Sequence, residues 1–218
     1  MGIEYGNRCT TTDNGGCVLR VLNLYSGIGG NRKMWGEVHS IVAVEINPRI
    51  AKVYKDFYPN DEVIVGDAHE YLRHHFREFD FIWASPPCPT HSDLQRFNYH
   101  NAEKIVYPDM KLYQEIILLQ HFYPGNWVIE NVKPYYKPLI EPSFEMNRHF
   151  FWSNKFILTD NKKHDFMNLK DNEREMQKIY GFDLSKYRKD FSSVEFRQIL
   201  RNCVLPEIAK YIFEKINE

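Results

Sequence analysis

In the stretch Phe79-Asp80-Phe81-Ile82-Trp83-Ala84-Ser85-Pro86-Pro87-Cys88, an apolar strand pattern runs straight into two prolines. Pro86 and Pro87 fix φ and donate no hydrogen bond, so the chain must leave the sheet there. Cys88 is thereby held just beyond a strand end, where ligands and chemistry collect in an open α/β sheet. Taken alone, the stretch fits a reactive thiol or a structural cysteine, and the sequence around it decides the setting.

Outward from this point, strand and helix patterns alternate. Val18 to Leu24, Ser40 to Glu45, Glu62 to Val65, Phe79 to Ala84 and Asn126 to Glu130 read as strands. Asn31 to Trp35, Pro48 to Phe57, Ala68 to Phe76 and Lys111 to Phe122 read as helices, with Pro48 suited to a first helical turn. The alternation predicts an α/β fold with a mostly parallel central sheet flanked by helices on both faces. After residue 131 the pattern is mixed, with strands expected near Phe150 to Trp152 and Phe156 to Leu158. Helices are expected over Glu173 to Tyr180, part of Ser193 to Arg201, and Pro206 to Asn217, whereas residues 1–17 read as polar and irregular.

At 218 residues, with 43% apolar residues, the chain predicts a single domain over 1–218 that can bury a full sheet. No run approaches the roughly 18 apolar residues of a membrane span, and the N-terminal stretch lacks a signal-peptide pattern. Cys9, Cys17, Cys88 and Cys203 are scattered, which suggests a reducing, cytoplasmic setting. Cys9 and Cys17 lack metal-ligand spacing and read as structural; no metal is expected. A net charge of −1 neither supports nor excludes a nucleic-acid partner. The basic clusters Lys162-Lys163-His164 and Lys186-Tyr187-Arg188-Lys189 each read, singly, as a solvated face.

The first strand runs into Tyr25-Ser26-Gly27-Ile28-Gly29-Gly30, where glycines permit a sharp turn and close approach of a ligand to the backbone. Glu45, at the end of the next strand, lies 18 positions after Gly27, near the spacing at which a carboxylate meets ribose hydroxyls. Asp67, after the third strand, is placed to accept from an adenine amino group. These strand ends supply the parts of an adenosine pocket. The glycine loop lacks the lysine and hydroxyl of a phosphate-binding loop, and Tyr25 offers an aromatic face. A cofactor without phosphates, such as S-adenosylmethionine, fits better than a dinucleotide.

In order, Leu24 to Gly30, Glu45, Gly66-Asp67, Pro86-Pro87-Cys88, Glu130-Asn131-Val132, Arg148 and Asn202-Cys203-Val204-Leu205-Pro206 resemble the motifs of the DNA (cytosine-5)-methyltransferase family. The resemblance covers roughly residues 18–213. It implies a Rossmann-like, S-adenosylmethionine-dependent methyltransferase fold and methyl transfer to carbon 5 of cytosine in DNA. By the same resemblance Cys88 is the covalent catalyst. Glu130 holds the base at N3 and the exocyclic amine, Asn131 orients the loop, and Arg148 holds the pyrimidine oxygen or the cysteine loop. Tyr25, Ser26, Gly27, Gly29, Glu45, Ile46, Asp67, Ala68, Pro87, Asn202 and Val204 are implied to line the cofactor pocket. The target base must be flipped out of a duplex. The Pro89–Pro108 stretch, with Ser92, Arg96, Asn98 and Lys104, is long enough to close over it as a mobile loop.

Several positions depart from the family pattern. Pro89 stands where a glutamine commonly follows the cysteine, His91 replaces an aromatic, Met146 an arginine and Arg201 a glycine. Only residues 149–172 separate Arg148 from Glu173, too few for an independent target-recognition domain. A reduced recognition segment over about 153–192 and relaxed specificity are therefore expected, unless a homo-oligomer or a separate specificity partner reads the DNA. Such minimal forms look like enzymes of phages and other mobile elements. An RNA cytosine-5 methyltransferase, a catalytically silent DNA-binding module and an amino-group methyltransferase stay open as alternatives. Arg32 and Lys33 read as solvated first-turn residues, or as partners of an extra carboxylate on a modified cofactor.

Overall fold

The computed structural model describes residues 10–11, 17–93, 95–96, 102–158 and 172–218. Thr10–Thr11 (β1) and Cys17–Val18 (β2) form a small antiparallel ribbon. The central sheet takes its strands from Arg20–Leu24 (β3), Ser40–Glu45 (β4), Glu62–Val65 (β5), Phe81–Ala84 (β6), Asn126–Val132 (β7), Phe144–Met146 (β8) and His149–Ser153 (β9). Its order is β5-β4-β3-β6-β7-β9-β8, parallel as far as β7, with β9 antiparallel to β7 and to β8. From β3 the chain steps outward through β4 to β5, then returns to β6 on the other side. Strand order reverses at β3, and a crevice opens there beyond the C-terminal strand ends.

The helices are Pro48–Phe57 (α1), Ala68–His75 (α2), Lys111–Phe122 (α3), Glu173–Tyr180 (α4), Ser193–Arg201 (α5) and Pro206–Asn217 (α6). Buried on both faces, β3, β4 and β6 are near-continuous apolar runs, as parallel strands require. Their side chains alternate between the layers. Leu22, Leu24, Val42 and Val44 pack on α2 and α3 through Leu72, Leu112, Ile116 and Leu119. On the opposite face, Val21, Ile41, Phe81 and Trp83 meet Trp35 and the α6 residues Ala209, Ile212 and Phe213. Ala43 and Ile28 join a further cluster built from α1, α4 and α5.

Most expected elements form, with instructive exceptions. The stretch from Val18 to Leu24 is divided: Val18 belongs to the ribbon and the sheet strand starts at Arg20. The strand leading to the prolines starts at Phe81; Asp80, just before it, accepts from the Arg20 N–H through its side chain at 2.7 Å while its own N–H donates to the Arg20 carbonyl at 2.8 Å. Asn31 to Trp35 is only a 3-10 turn over Arg32–Met34. Phe156 to Leu158 is not a strand; Leu158 instead accepts from the Tyr211 hydroxyl at 3.0 Å. Ser193–Arg201 is helical throughout, started by a capping box between Ser192 and Glu195. The short edge strand β8 was not expected.

The described part of the expected recognition segment joins the core: Met176, Tyr180, Phe182, Leu184 and Tyr187 pack with Tyr54 and Tyr58 of the α1 region. Cys9, Asn98 and Lys162-Lys163-His164 lie outside the described residues, as does the side chain of Cys17. Among the described residues, no helix is long and apolar enough to cross a membrane.

Candidate active site

The loop after β3 holds Tyr25, Gly27 and Gly29 at φ of +56°, +54° and +83°. A Cβ on Gly27 would meet nothing within 4 Å, whereas one on Gly29 would fall 2.3 Å from the Tyr58 ring. A Cβ on Gly30 would lie 2.7 Å from the Cys203 Cβ, so the glycine is what lets the segment after α5 close onto this loop. The resulting cleft is lined by Tyr25, Ser26, Gly27, Ser85, Asn202 and Val204, among others.

Glu45 reaches across from β4. Its Oε2 accepts from the Gly27 N–H at 3.0 Å and its Oε1 from the Asn47 N–H at 2.8 Å. Burial raises its pKa while these bonds pull it back. Ile46, next to it, leaves an apolar side chain 68% exposed. Asp67 caps α2 through Oδ1, which accepts from the N–H groups of His69 and Glu70 at 2.8 and 3.2 Å, and its Oδ2 lies 3.4 Å from Lys111 Nζ. Burial opposes its charge, yet the helix N–H bonds and Lys111 hold its carboxyl below the usual range. Ala68 is buried beside it.

After β6, Pro86 is buried and Pro87 exposed. The Cys88 carbonyl then accepts from the N–H groups of His91 and Ser92 at 2.9 and 3.0 Å, a tight turn that fixes the half-buried thiol. Burial, and then the Glu130 carboxylate, push the Cys88 thiol up from its ordinary value. Glu130 and Asn131 stand near the end of the neighbouring strand β7, where alternation sends them to opposite faces. Asn131 Nδ2 donates to the Pro86 carbonyl at 2.9 Å and its Oδ1 accepts from the Val132 N–H, so it bolts the proline loop to β7.

Glu130 is 7% exposed, and His149 Nε2 lies 3.4 Å from its Oε1. The pairing explains this contact. Glu130 stands opposite Phe151 and Val132 opposite His149, so Glu130 and His149 are diagonal neighbours on one face. Arg148 occupies the β8–β9 turn beside Asn147, whose φ is +54°. Its side chain is exposed, and its charge is felt by Tyr180. The ring that the structure sets against Glu130 is thus the His149 imidazole, while the adjacent Arg148 lies on the exposed turn. Strand register decided which of the two adjacent residues faces inward.

The expectation for Arg32 changes. Arg32 is neither solvated nor in the cleft: it is 1% exposed and forms a two-point ion pair with Asp61 at 2.9 and 3.2 Å. Lys33 lies over the Phe182 ring at 4.2 Å. His91 packs inside, 2.5 Å from the Tyr136 hydroxyl. Of the expected loop contacts, Arg96 donates to the Tyr135 carbonyl at 3.1 Å.

Residues 19–146 match the family model described as C-5 cytosine-specific DNA methylase. The chain belongs to this family. No curated protein matches this family member. Among solved structures, it resembles a DNMT2 mutant from Spodoptera frugiperda, with 27% identity and a TM-score of 0.38 over 52% of this chain and 35% of that one. It also resembles the methyltransferase EhMeth of Entamoeba histolytica, with 17% identity and a TM-score of 0.36 over 53% and 38%. TrmN from Thermus thermophilus gives 16% identity and a TM-score of 0.34 over 52% and 33%. The matched region thus spans between 33% and 38% of these structures.

Family membership implies S-adenosylmethionine as the cofactor, and the cleft has the chemistry to hold it. Among the described residues, its lining includes no lysine or arginine for a phosphate. Ser26 Oγ is buried without a partner among the described residues, and none of them stands within 4 Å of a Cβ on Gly27. The Glu45 carboxylate and the bare Ile46 side chain stand at the adjoining strand end.

Proposed function

We propose that this chain transfers a methyl group from S-adenosylmethionine to carbon 5 of cytosine in DNA, with Cys88 as covalent catalyst. One observation carries the reading. The Cys88 thiol and the Glu130 carboxylate come together at the ends of the adjacent parallel strands β6 and β7, bolted by Asn131, beside the glycine-loop cleft.

Carbon 5 of cytosine is too weak a nucleophile to accept a methyl group unaided. Addition of the Cys88 thiolate to carbon 6 forms a C–S bond and shifts ring electrons toward carbon 5. Glu130, at the adjacent strand end, holds the base at N3 and the exocyclic amine and passes to N3 the proton that the Cys88 thiol gives up, so charge and protons balance. S-adenosylmethionine, when bound, supplies an electrophilic methyl group. Loss of the carbon 5 proton to a base and cleavage of the C–S bond then free Cys88. Tyr25, Glu45, Ile46 and Asn202 would hold the adenosyl and amino-acid parts of the cofactor. A duplex target must be flipped out, at a cost of a few kcal/mol in unstacking. The Pro89–Pro108 stretch and residues 155–190 are the parts we assign to polymer contacts.

The test is a 5-fluorocytosine trap, in which the carbon 5 substituent cannot leave and elimination of the cysteine is blocked. DNA carrying the analogue should form a denaturant-stable adduct that maps to Cys88 and is absent in Cys88→Ser. An adduct with RNA alone would transfer the reading to an RNA substrate. Turnover without any adduct would sink the covalent mechanism.

A further inference from the structure

Glu115 is buried on the inner side of α3 among Leu112, Ile116 and Leu119, and only 1% of it is exposed. Its Oε1 accepts from the Tyr25 hydroxyl and lies 2.9 Å from His69 Nδ1, while its Oε2 is buried with no partner among the described residues. A carboxylate half-bare in an apolar layer is costly, and a leucine would fill that helix position without the cost. What the acid does is join the loops after β3 and β5. Tyr25 lines the cleft with its backbone in the left-handed region, and His69 is anchored through its N–H to Asp67. None of this enters the chemistry at Cys88.

We propose that Glu115 and His69, which do not line the cleft, are positioning residues that hold Tyr25 in its cofactor-binding pose, and that loss of the His69 proton makes S-adenosylmethionine affinity fall as pH rises. This rests on the cofactor reading above. The charged and titratable groups around the pair are Tyr25 from the β3 loop, Asp67 from the start of α2, Asp109 before α3, and Lys111 within it. The hydrogen bond to Glu115 raises the His69 pKa, and burial raises that of Glu115. Because the histidine is raised, the balanced pair is complete below the ordinary histidine value and is lost as pH climbs through the folded one. Above that point the buried carboxylate has only neutral donors, and the brace on Tyr25 weakens.

The test is calorimetric titration of S-adenosylmethionine into the full chain from pH 6 to 8.5, with no nucleic acid present. Glu115→Gln keeps an acceptor for the Tyr25 hydroxyl and removes the charge; His69→Asn removes the titrating group. The dissociation constant of the unmodified chain should rise about tenfold more across this range than that of either variant, a difference that cancels the cofactor's own titration. Glu115→Leu should bind about tenfold more weakly at every pH. If that variant fails to fold, the two polar variants still decide. Parallel pH profiles for all three foldable chains would overturn the proposal alone. An unmodified chain that binds no S-adenosylmethionine would overturn the cofactor reading and this proposal with it.

Discussion

His149 Nε2 lies 3.4 Å from Glu130 Oε1, so the carboxylate beside Cys88 faces an imidazole rather than the neighbouring guanidinium of Arg148. An imidazole there can carry a proton next to the acid that must deliver one to the base. Replacing His149 by alanine should lower kcat by about 10- to 100-fold, the scale of a lost general acid–base partner. Arg148→Ala should mainly raise KM for the nucleic acid, because that side chain is exposed on a turn. Steady-state kinetics on both variants decide the assignment. A larger kcat loss for Arg148→Ala would return the role to the arginine.

The negative charge of Glu130 also restrains the thiol. Burial first, and Glu130 second, hold Cys88 above its ordinary pKa, so the neutral thiol dominates at neutral pH. Glu130→Gln should therefore speed iodoacetamide labelling of Cys88 at pH 7.5 by roughly three- to tenfold, while methyl transfer collapses. Cys203 provides an internal control, since its buried thiol is pushed up to about 12. Peptide mapping over a labelling time course reads both sites. Unchanged or slower labelling of Cys88 would show that the carboxylate does not act on it.

Much of this arrangement was legible because local and global signals agree. Ser40–Glu45 and Pro48–Phe57 form as expected: an apolar run meets an Asn47 cap and a proline at the first helical position. The proline stop before Cys88 and the positive-φ glycine loop were likewise local facts. What escaped depends on distant partners. Arg32 is buried only because Asp61, 29 residues on, receives it. Glu115 was not singled out in the sequence, because its link to Tyr25 spans 90 residues. The contact between His149 and Glu130 required the β7–β9 register, which no single strand encodes.

The glycine loop separates two kinds of damage. Gly29→Ala forces a Cβ to within 2.3 Å of the Tyr58 ring at a φ of +83°, so it should destabilise the fold by about 1–3 kcal/mol. Gly27→Ala meets nothing nearby and should cost only about 1 kcal/mol of backbone strain. Its methyl group would nevertheless sit in the cleft and weaken S-adenosylmethionine binding. Urea unfolding set beside cofactor titration should show stability loss dominating in the first variant and affinity loss in the second. Equal affinity for Gly27→Ala and the unmodified chain would argue that the cofactor does not pass over this loop.

Behind that loop, Arg32 and Asp61 form a buried pair with the Tyr54 hydroxyl 2.8 Å from Asp61 Oδ2, while Arg32 Nη1 has no partner among the described residues. The arginine is already incompletely satisfied, so removing its carboxylate should be severe. Asp61→Asn leaves a buried guanidinium with only the exposed Glu37 carboxylate, 3.5 Å away, as counter-charge and should cost about 3–5 kcal/mol in urea unfolding. Arg32→Met/Asp61→Leu removes both charges and should recover much of that loss, since a buried ion pair replaced by apolar groups of similar volume is often neutral. The two substitutions would then be strongly non-additive, with a coupling well above about 0.5 kcal/mol. Additive losses would mean that each residue is held by its other neighbours, Tyr54 and Tyr58, rather than by its partner.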